Sequence, residues 1–174
     1  MQPSARRHLF LSWEDVDHLI DKLIPQFRRE FNAMVMITRG GVIPGGMLAE
    51  ATGITHILTA AVDFPAQAAN QQNRLMVWPE FIQFPTDDQL RGRITLIVDD
   101  VWSSGRTITA VKNRVSAAGG FPETCVLHFN PYRSLFNKSF KPDYYADVTD
   151  AYVIYPWEVD RGADQVMLGE GDRI

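Results

Sequence analysis

Short apolar runs that alternate with helical segments are the feature that most restricts the fold of this chain. Runs of strand length occur at residues 33–38, 54–62, 94–98 and 124–129, with two shorter ones at 144–148 and 152–155. The segments with helical features are 13–24, 41–52 and 105–118. Strands that alternate with helices in this way build βαβ units around a mainly parallel sheet. The sequence therefore predicts an α/β fold whose mainly parallel sheet is flanked by helices.

The carboxyl ends of parallel strands meet at one edge of such a sheet, and ligands bind there. The loops that follow the predicted strands at this edge are 38–41, 99–107 and the segment from 130 onward. We therefore expect the functional residues of the chain in these three loops.

Length and charge exclude several classes of function. The 174 residues fit one domain with its own core. With 17 Lys and Arg against 21 Asp and Glu, the net charge of −4 argues against nucleic acid or a membrane surface as partner. The single cysteine, Cys125, excludes an internal disulfide framework. No apolar run is long enough to span a membrane and no secretory signal is recognisable, so we expect a cytoplasmic protein.

The run LIVDDVWSSGRT is the most informative motif, because a buried strand ends in two acids and a small-residue loop then opens a helix. Amide groups at a helix N-terminus bind anions, and Gly105 lets the backbone approach a phosphate closely. The hydroxyls of Ser104 and Thr107 can donate to phosphate oxygens. Asp99 and Asp100 offer acceptors to sugar hydroxyls or oxygen ligands to Mg²⁺. Each part alone is also typical of an ordinary strand end and turn.

The motif resembles the phosphoribosyl-pyrophosphate (PRPP) signature of the type I phosphoribosyltransferases. The run TRGG at 38–41 is similar to the pyrophosphate loop of that family, and YPWE at 155–158 to its closing segment. The stretch WEDVDHLIDKL…MITRGGVIPGGMLAEATGITHI is similar to the N-terminal half of the bacterial xanthine–guanine (6-oxopurine) enzymes. The resemblance implies one phosphoribosyltransferase domain over 1–174, with a mobile lid loop at about 66–88 and a small hood formed by about 1–12 and 144–174.

The resemblance also implies the activity and the PRPP site. Members of the family transfer the 5-phosphoribosyl group of PRPP to a nucleobase and release pyrophosphate. By residue matching, Asp99 and Asp100 are the catalytic acids that hold the ribose hydroxyls, and Asp100 is the ligand of Mg²⁺. The remaining PRPP contacts fall on Arg39, Gly40, Ser103, Ser104, Gly105, Arg106 and Thr107. Arg74 in the lid loop is a candidate for pyrophosphate contact, with a solvated surface arginine as the alternative. In the family, a cis peptide often precedes the position of Arg39.

Base recognition departs from the family pattern at two positions. Ser103 stands where the family usually has an aspartate near the purine N7, and serine has no useful basicity at neutral pH. Asn130 stands where the family has a lysine that meets the purine 6-oxo group, and its amide can donate or accept. Tyr152 takes the place of the stacking tryptophan, and Val153 offers backbone contacts. His128 lies in a predicted strand, where we expect a structural role.

The leading hypothesis is therefore a Mg²⁺-dependent phosphoribosyltransferase of purine salvage that acts on a purine-like base. Ser103 and Asn130 keep two alternatives open: a catalytically silent regulatory protein that binds PRPP or a nucleotide, and phosphoribosyl transfer to a non-purine acceptor. The expected partners are PRPP, a nucleobase and further copies of the chain in a dimer or tetramer.

Overall fold

A computed structural model describes residues 7–64, 78–137 and 139–159 of the chain. The strands in these ranges are β1 (His8–Phe10), β2 (Ala33–Ile37), β3 (Ile57–Asp63), β4 (Glu80–Gln83), β5 (Ile94–Trp102), β6 (Phe121–Phe129), β7 (Tyr144–Val148) and β8 (Tyr152–Ile154). Six of them form the central sheet in the order β4-β3-β2-β5-β6-β7. All neighbours in this sheet are parallel except β4, which runs antiparallel to β3. The predicted mainly parallel sheet is confirmed.

The helices are α1 (Trp13–Leu23), α2 (Val42–Thr52), α3 (Asp87–Leu90), α4 (Arg106–Ala117) and α5 (Pro156–Val159), and a 3₁₀ turn at Ile24–Gln26 follows α1. A capping box starts α1, because the Ser12 hydroxyl accepts the Asp15 N–H at 3.2 Å and the Asp15 carboxylate accepts the Ser12 N–H at 2.8 Å. Pro25 lies in the 3₁₀ turn, as expected for a residue that ends a helix. In the described ranges, each helix is too short or too polar to cross a lipid bilayer.

Two apolar layers hold the helices against the sheet. On one face, α1 and α2 pack on alternate residues of the strands, including Met34, Leu96 and Leu127. On the other face, α4 packs on the residues between them, among them Val35 and Ile97. The central strands are buried on both faces, which explains why they read as continuous apolar runs.

Several strand boundaries differ from the prediction. β5 continues to Trp102 instead of ending at Val98, so the two acids lie inside the strand and not in a loop. β6 begins at Phe121 and β3 at Ile57. Pairing with neighbours carries β5 and β6 past the limits of their apolar runs, because backbone hydrogen bonds do not depend on side-chain type.

The predicted lid loop at 66–88 is corrected in its second half. Residues 80–83 form β4, which pairs with β3, and Thr86 caps α3 through a reciprocal pair with Gln89. The phenyl rings of Phe81 and Phe84 contact each other edge to face, 5.0 Å between centroids, and pack on the α4 side of the sheet. These apolar anchors hold the segment on the sheet. Residues 66–77, Arg74 included, lie outside the described residues.

The predicted hood is corrected at residue 144, where its C-terminal segment was expected to begin. β7, at 144–148, belongs to the central sheet beside β6. A separate two-stranded parallel sheet is formed by β1 and β8, with Leu9 opposite Val153. The N-terminal part of the chain and the segment before α5 therefore pair with each other. Residues 1–6 and 160–174 of the predicted hood lie outside the described ranges.

Candidate active site

The turn between β2 and α2 is built so that its backbone lies against the acids of β5. The Thr38–Arg39 peptide is cis, and the Thr38 N–H donates to the Ala60 carbonyl at 2.9 Å. A Cβ on Gly40 would lie 2.5 Å from the carboxylate atoms of Asp100, and one on Gly41 would overlap the Val98 carbonyl. Gly41 is therefore required by the backbone around it, whereas a side chain at Gly40 would displace the Asp100 carboxylate. The family resemblance had implied this cis peptide, and the parallel topology had placed the loop at the same sheet edge as the acids.

Asp99 and Asp100 are two adjacent, partly buried acids of β5. Burial, followed by the charge of Asp100, raises the pKa of Asp99 well above its usual value. Burial and the Glu158 carboxylate raise the pKa of Asp100 to about 6. The Asp100 N–H donates to Asp99 Oδ1 at 3.0 Å. Negative charge on the pair is thus costly in the free protein, and a cation or hydroxyl donors at this place would favour it.

The turn after β5 presents a helix N-terminus beside these acids. Gly105 caps α4 with φ of 79°, and a Cβ there would overlap the Trp102 indole. The Ser104 hydroxyl accepts the Arg106 N–H at 3.3 Å. Ser103 and Thr107 are partly buried at the same turn. Amides at the start of a twelve-residue helix favour an anion, as the motif predicts.

Arg106 lies at this turn but has an aromatic neighbour. Its guanidinium carbon lies 3.9 Å from the ring centroid of Phe64, which follows β3. The predicted contact of Arg106 with PRPP therefore involves a side chain that already rests on Phe64. Arg39, on the neighbouring loop, is exposed.

Asn130 is buried after β6 and is already engaged. Its N–H donates to the Trp102 carbonyl at 2.9 Å, and its Oδ1 accepts the N–H groups of Tyr132 and Arg133 at 3.1 and 3.2 Å. Two backbone donors at one oxygen fix the amide orientation. The sequence left open whether the Asn130 side chain donates a hydrogen bond to a base or accepts one from it. Because its oxygen is occupied, only the NH₂ group remains to meet a base.

The segment after Asn130 also supports the anion-binding turn. The Leu135 N–H donates to the Ser104 carbonyl at 3.0 Å, and the Trp102 indole donates to Ser134 Oγ at 3.3 Å. The rings of Phe129, Phe136 and Phe140 surround the Trp102 indole. This support was not predicted, because nothing in the sequence pairs residues about 30 positions apart.

Tyr152 and Val153 lie on β8 at the hood. The Tyr152 ring meets His8 edge to face, 5.7 Å between centroids, and its N–H donates to the Arg7 carbonyl. The Ile154 carbonyl in turn accepts the Leu11 N–H. Because successive strand residues direct their backbone groups to opposite edges, the N–H and C=O of Val153 point away from β1. In the described ranges β8 pairs with β1 alone, so these groups face an open edge.

Tyr155 connects the hood segment to the acids, a role that sequence reasoning missed. Its hydroxyl lies 2.9 Å from the Asp100 carbonyl oxygen and 2.9 Å from His128 Nδ1. Its N–H donates to Glu158 Oε2 at 2.8 Å, and its ring stacks on Trp157 at 4.6 Å. The sequence analysis identified this segment by its YPWE run. It could not predict the contact of the Tyr155 hydroxyl with Asp100, because the two residues are 55 positions apart and no local pattern marks the contact.

The acids fit Mg²⁺ only together with oxygens of a ligand. Within the described part of the chain, no three His, Cys, Asp or Glu side chains are grouped closely enough to hold a metal ion. Mg²⁺ is usually bound through one or two carboxylates plus substrate phosphates and waters. Asp99 and Asp100 are adjacent acids, and the carboxylate of Asp100 lies against the Gly40 backbone, so the two match the carboxylate part of that donor set.

Comparison with known proteins identifies a family and structures to which the chain is similar. The family model of the phosphoribosyl transferase domain matches residues 11–143. The purine phosphoribosyltransferase of Pyrococcus horikoshii OT3 has 25% identity and a TM-score of 0.71, with 87% of this chain and 94% of that chain covered. The Helicobacter pylori xanthine-guanine-hypoxanthine phosphoribosyltransferase has 18% identity and a TM-score of 0.66, over 90% and 96% of the two chains.

A protein of Neisseria gonorrhoeae, solved with ppGpp bound, is also similar in structure. It has 21% identity and a TM-score of 0.73, with 98% of this chain and 100% of that chain covered. These three structures share the fold of the present chain over most of its length. Since the family model also matches most of the chain, the protein belongs to the type I phosphoribosyltransferases.

Proposed function

We propose that the protein transfers the 5-phosphoribosyl group of PRPP to a purine-like base, with Mg²⁺ as cofactor and pyrophosphate as the second product. The observation that carries this proposal is the approach of the Gly40 backbone to the Asp100 carboxylate, next to the helix N-terminus at Gly105. A pyrophosphate loop, a pair of acids and an anion-binding turn thus occupy one edge of the sheet. PRPP carries a matching group for each of them.

Each part of the PRPP molecule then has a binding element. The amides and hydroxyls of 103–107 hold the 5′-phosphate, because a helix N-terminus favours negative charge. Asp99 and Asp100 accept the ribose hydroxyls, and the Arg39–Gly40 backbone meets the pyrophosphate. Mg²⁺, held by Asp100 and the oxygens of PRPP, would neutralise the charge that develops on the leaving pyrophosphate.

The base would lie between the hood and the end of β6. Tyr152 offers an aromatic face for stacking, and the open backbone groups of Val153 offer one donor and one acceptor. Asn130 can present only its NH₂ group, since its oxygen accepts two backbone N–H groups. Ser103 cannot take a proton at neutral pH, so the base reacts as its anion or loses its proton to water.

The test is PRPP-dependent pyrophosphate release over a panel of purine, pyrimidine and pyridine bases, with Mg²⁺ and with a chelator. We expect turnover with at least one purine in Mg²⁺ and a strong loss of turnover in the Asp100→Asn variant. Turnover with pyrimidines or pyridines alone would select the non-purine acceptor. No turnover with any base, or unchanged kinetics in Asp100→Asn, would refute the proposed reaction or the site.

A catalytically silent regulatory protein is the second candidate. It is favoured by Ser103, which removes the proton acceptor of the family, and by the similarity to the Neisseria gonorrhoeae structure with bound ppGpp. Titration calorimetry with PRPP and with ppGpp separates the two functions. A regulatory protein binds one of these ligands in the absence of any turnover, whereas the enzyme turns over with a base.

We further propose that the protein works as a dimer or tetramer in the cytoplasm, without a nucleic-acid partner. The family resemblance and the net charge of −4 support this. Light scattering coupled to size exclusion gives the mass of the assembly directly. A monomer at all accessible concentrations would overturn the assembly proposal.

A further inference from the structure

A buried hydrogen-bond chain joins three parts of the fold at the acids. His128 on β6 meets the Tyr155 hydroxyl at 2.9 Å, and this hydroxyl meets the Asp100 carbonyl of β5 at 2.9 Å. The side chains of both residues are almost fully buried, with 2% of His128 and 1% of Tyr155 exposed. These hydrogen bonds therefore lie where water cannot replace a lost partner.

The direction of each hydrogen bond follows from the acceptor at its end. A backbone carbonyl can only accept, so the Tyr155 hydroxyl donates its single hydrogen to Asp100. The hydroxyl oxygen must then accept from His128, which makes Nδ1 the protonated nitrogen of a neutral imidazole. Burial lowers the pKa of His128 to about 4 and raises that of Tyr155, in agreement with one neutral imidazole and one neutral phenol.

The Asp100 carbonyl depends on this partner because Asp100 lies past the end of the pairing between β2 and β5 and is not itself among the residues of β5 that pair with β6. The pairing of β2 with β5 ends at Val98, opposite Met36. In the pairing of β5 with β6, Asp99 and Val101 each have a partner, and Asp100 between them has none. Buried carbonyl groups are almost always hydrogen-bonded, and here the tyrosine supplies the bond.

We propose that Tyr155, oriented by His128, is a positioning residue that fixes the backbone of Asp100 so that its carboxylate stays against Gly40 in the pose that PRPP requires. This inference rests on the proposed function, since it assigns the role of Asp100 to PRPP. Tyr155 also connects the hood segment to the strand that carries the acids. Its ring stacks on Trp157 and its N–H donates to Glu158, while its hydroxyl contacts β5.

The test compares Tyr155→Phe with the full-length wild type. The variant keeps the ring that stacks on Trp157 and loses only the hydroxyl. We expect the KM for PRPP to rise roughly 3- to 10-fold, as one buried hydrogen bond is lost. The KM for the base is expected to change by less than about twofold, because its contacts are not moved.

Two variants of His128 test its part. Asn places an N–H donor near the position of Nδ1, so His128→Asn is expected to retain a KM for PRPP close to that of the wild type. His128→Leu has no donor and is expected to behave like Tyr155→Phe. If His128→Asn and His128→Leu raise the KM equally, the orienting role of the imidazole is refuted.

Tyr144→Phe is the matched control. Tyr144 is also fully buried, and its hydroxyl donates to Glu123 at the other end of β6. This variant loses a hydrogen bond and some stability, but its KM for PRPP is expected to stay unchanged. If Tyr155→Phe and Tyr144→Phe lower the melting temperature alike and neither changes the KM or the Kd for PRPP, Tyr155 is merely structural.

A direct binding measurement separates this inference from the proposed function. Calorimetry with Mg²⁺ and PRPP gives the Kd in the absence of a base, so a silent protein would still show the loss in Tyr155→Phe. A wild type that neither binds PRPP nor turns it over refutes both proposals. A wild type that binds PRPP, with an unchanged Kd in Tyr155→Phe, refutes the positioning role alone.

Discussion

The backbone of Gly40 and the carboxylate of Asp100 lie against each other, although the two residues are 60 positions apart in the chain. A methyl group on Gly40 would lie 2.5 Å from three atoms of that carboxylate. The close approach brings the β2–α2 turn and the end of β5 into one site. It also leaves the carboxylate no freedom to move toward the turn.

Replacement of Gly40 by alanine should therefore displace the acid without unfolding the protein. The Asp100 side chain can rotate away, but it then leaves the pose that faces PRPP. We expect kcat/KM to fall on the order of 10- to 100-fold, since small displacements of a positioned group are costly. Steady-state kinetics and a melting curve measure the two effects separately.

Gly46→Ala is the matched control for this variant. Gly46 lies on α2, and a Cβ there would meet nothing within 4 Å. Alanine in a helix is favoured over glycine by about 0.5–1 kcal/mol, so this variant should be slightly more stable and fully active. Equal activity in Gly40→Ala and Gly46→Ala would show that the contact with Asp100 has no functional weight.

Asp100→Asn should gain stability at neutral pH while it loses activity. The pKa of Asp100 is raised from 3.8 to about 6, first by burial and then by Glu158, so the folded state holds its proton more tightly than the unfolded chain. The free energy of unfolding therefore falls as the pH rises from about 4 to about 6. Above this window the carboxylate destabilises the fold by at most about 3 kcal/mol.

Asparagine carries no such charge, so the variant should melt higher than the wild type at pH 8 and similarly below pH 4. Chemical denaturation in chelator across this range tests the difference. Asp17→Asn, a change at an exposed position of α1, is expected to show no comparable gain. A variant that is less stable than the wild type at pH 8 would contradict the assigned burial cost.

The sequence located the residues of the candidate site better than the contacts that support them. The central strands and the DD pair could be located because apolar runs and acids are local signals. The contacts of Tyr155 with His128 and Asp100 could not, since they join residues 27 and 55 positions apart. β4 was missed for a similar reason, because its pairing with β3 and the packing of Phe81 on Phe84 are tertiary features.

Asn130 shows the limit at the level of one side chain. Its residue type allows a donor or an acceptor, and only the structure shows that Tyr132 and Arg133 occupy its oxygen. Asn130→Ala should therefore lower the free energy of unfolding by about 1–3 kcal/mol, because two backbone hydrogen bonds to the oxygen of this buried side chain are lost. The KM for PRPP should also rise, since the same segment supports Ser104.

Asn130→Asp separates support of the turn from contact with the base. The carboxylate still accepts both N–H groups but has no donor, so we expect the KM for the base to rise while the KM for PRPP stays near the wild-type value. Kinetics with each substrate varied in turn give both constants. A base KM that is unchanged in Asn130→Asp would place the NH₂ group away from the base.

His128 should make the protein sensitive to acid. Burial lowers its pKa from 6.5 to about 4, so the unfolded chain takes up a proton that the folded protein excludes. The stabilisation is complete above pH 6.5 and is lost as the pH falls toward 4, which corresponds to about 3 kcal/mol.

His128→Asn removes the imidazole, so its unfolding free energy should fall less over this range than that of the wild type. Urea unfolding at half-unit steps of pH measures the slopes, and parallel slopes for the wild type and His128→Asn would contradict the buried neutral imidazole.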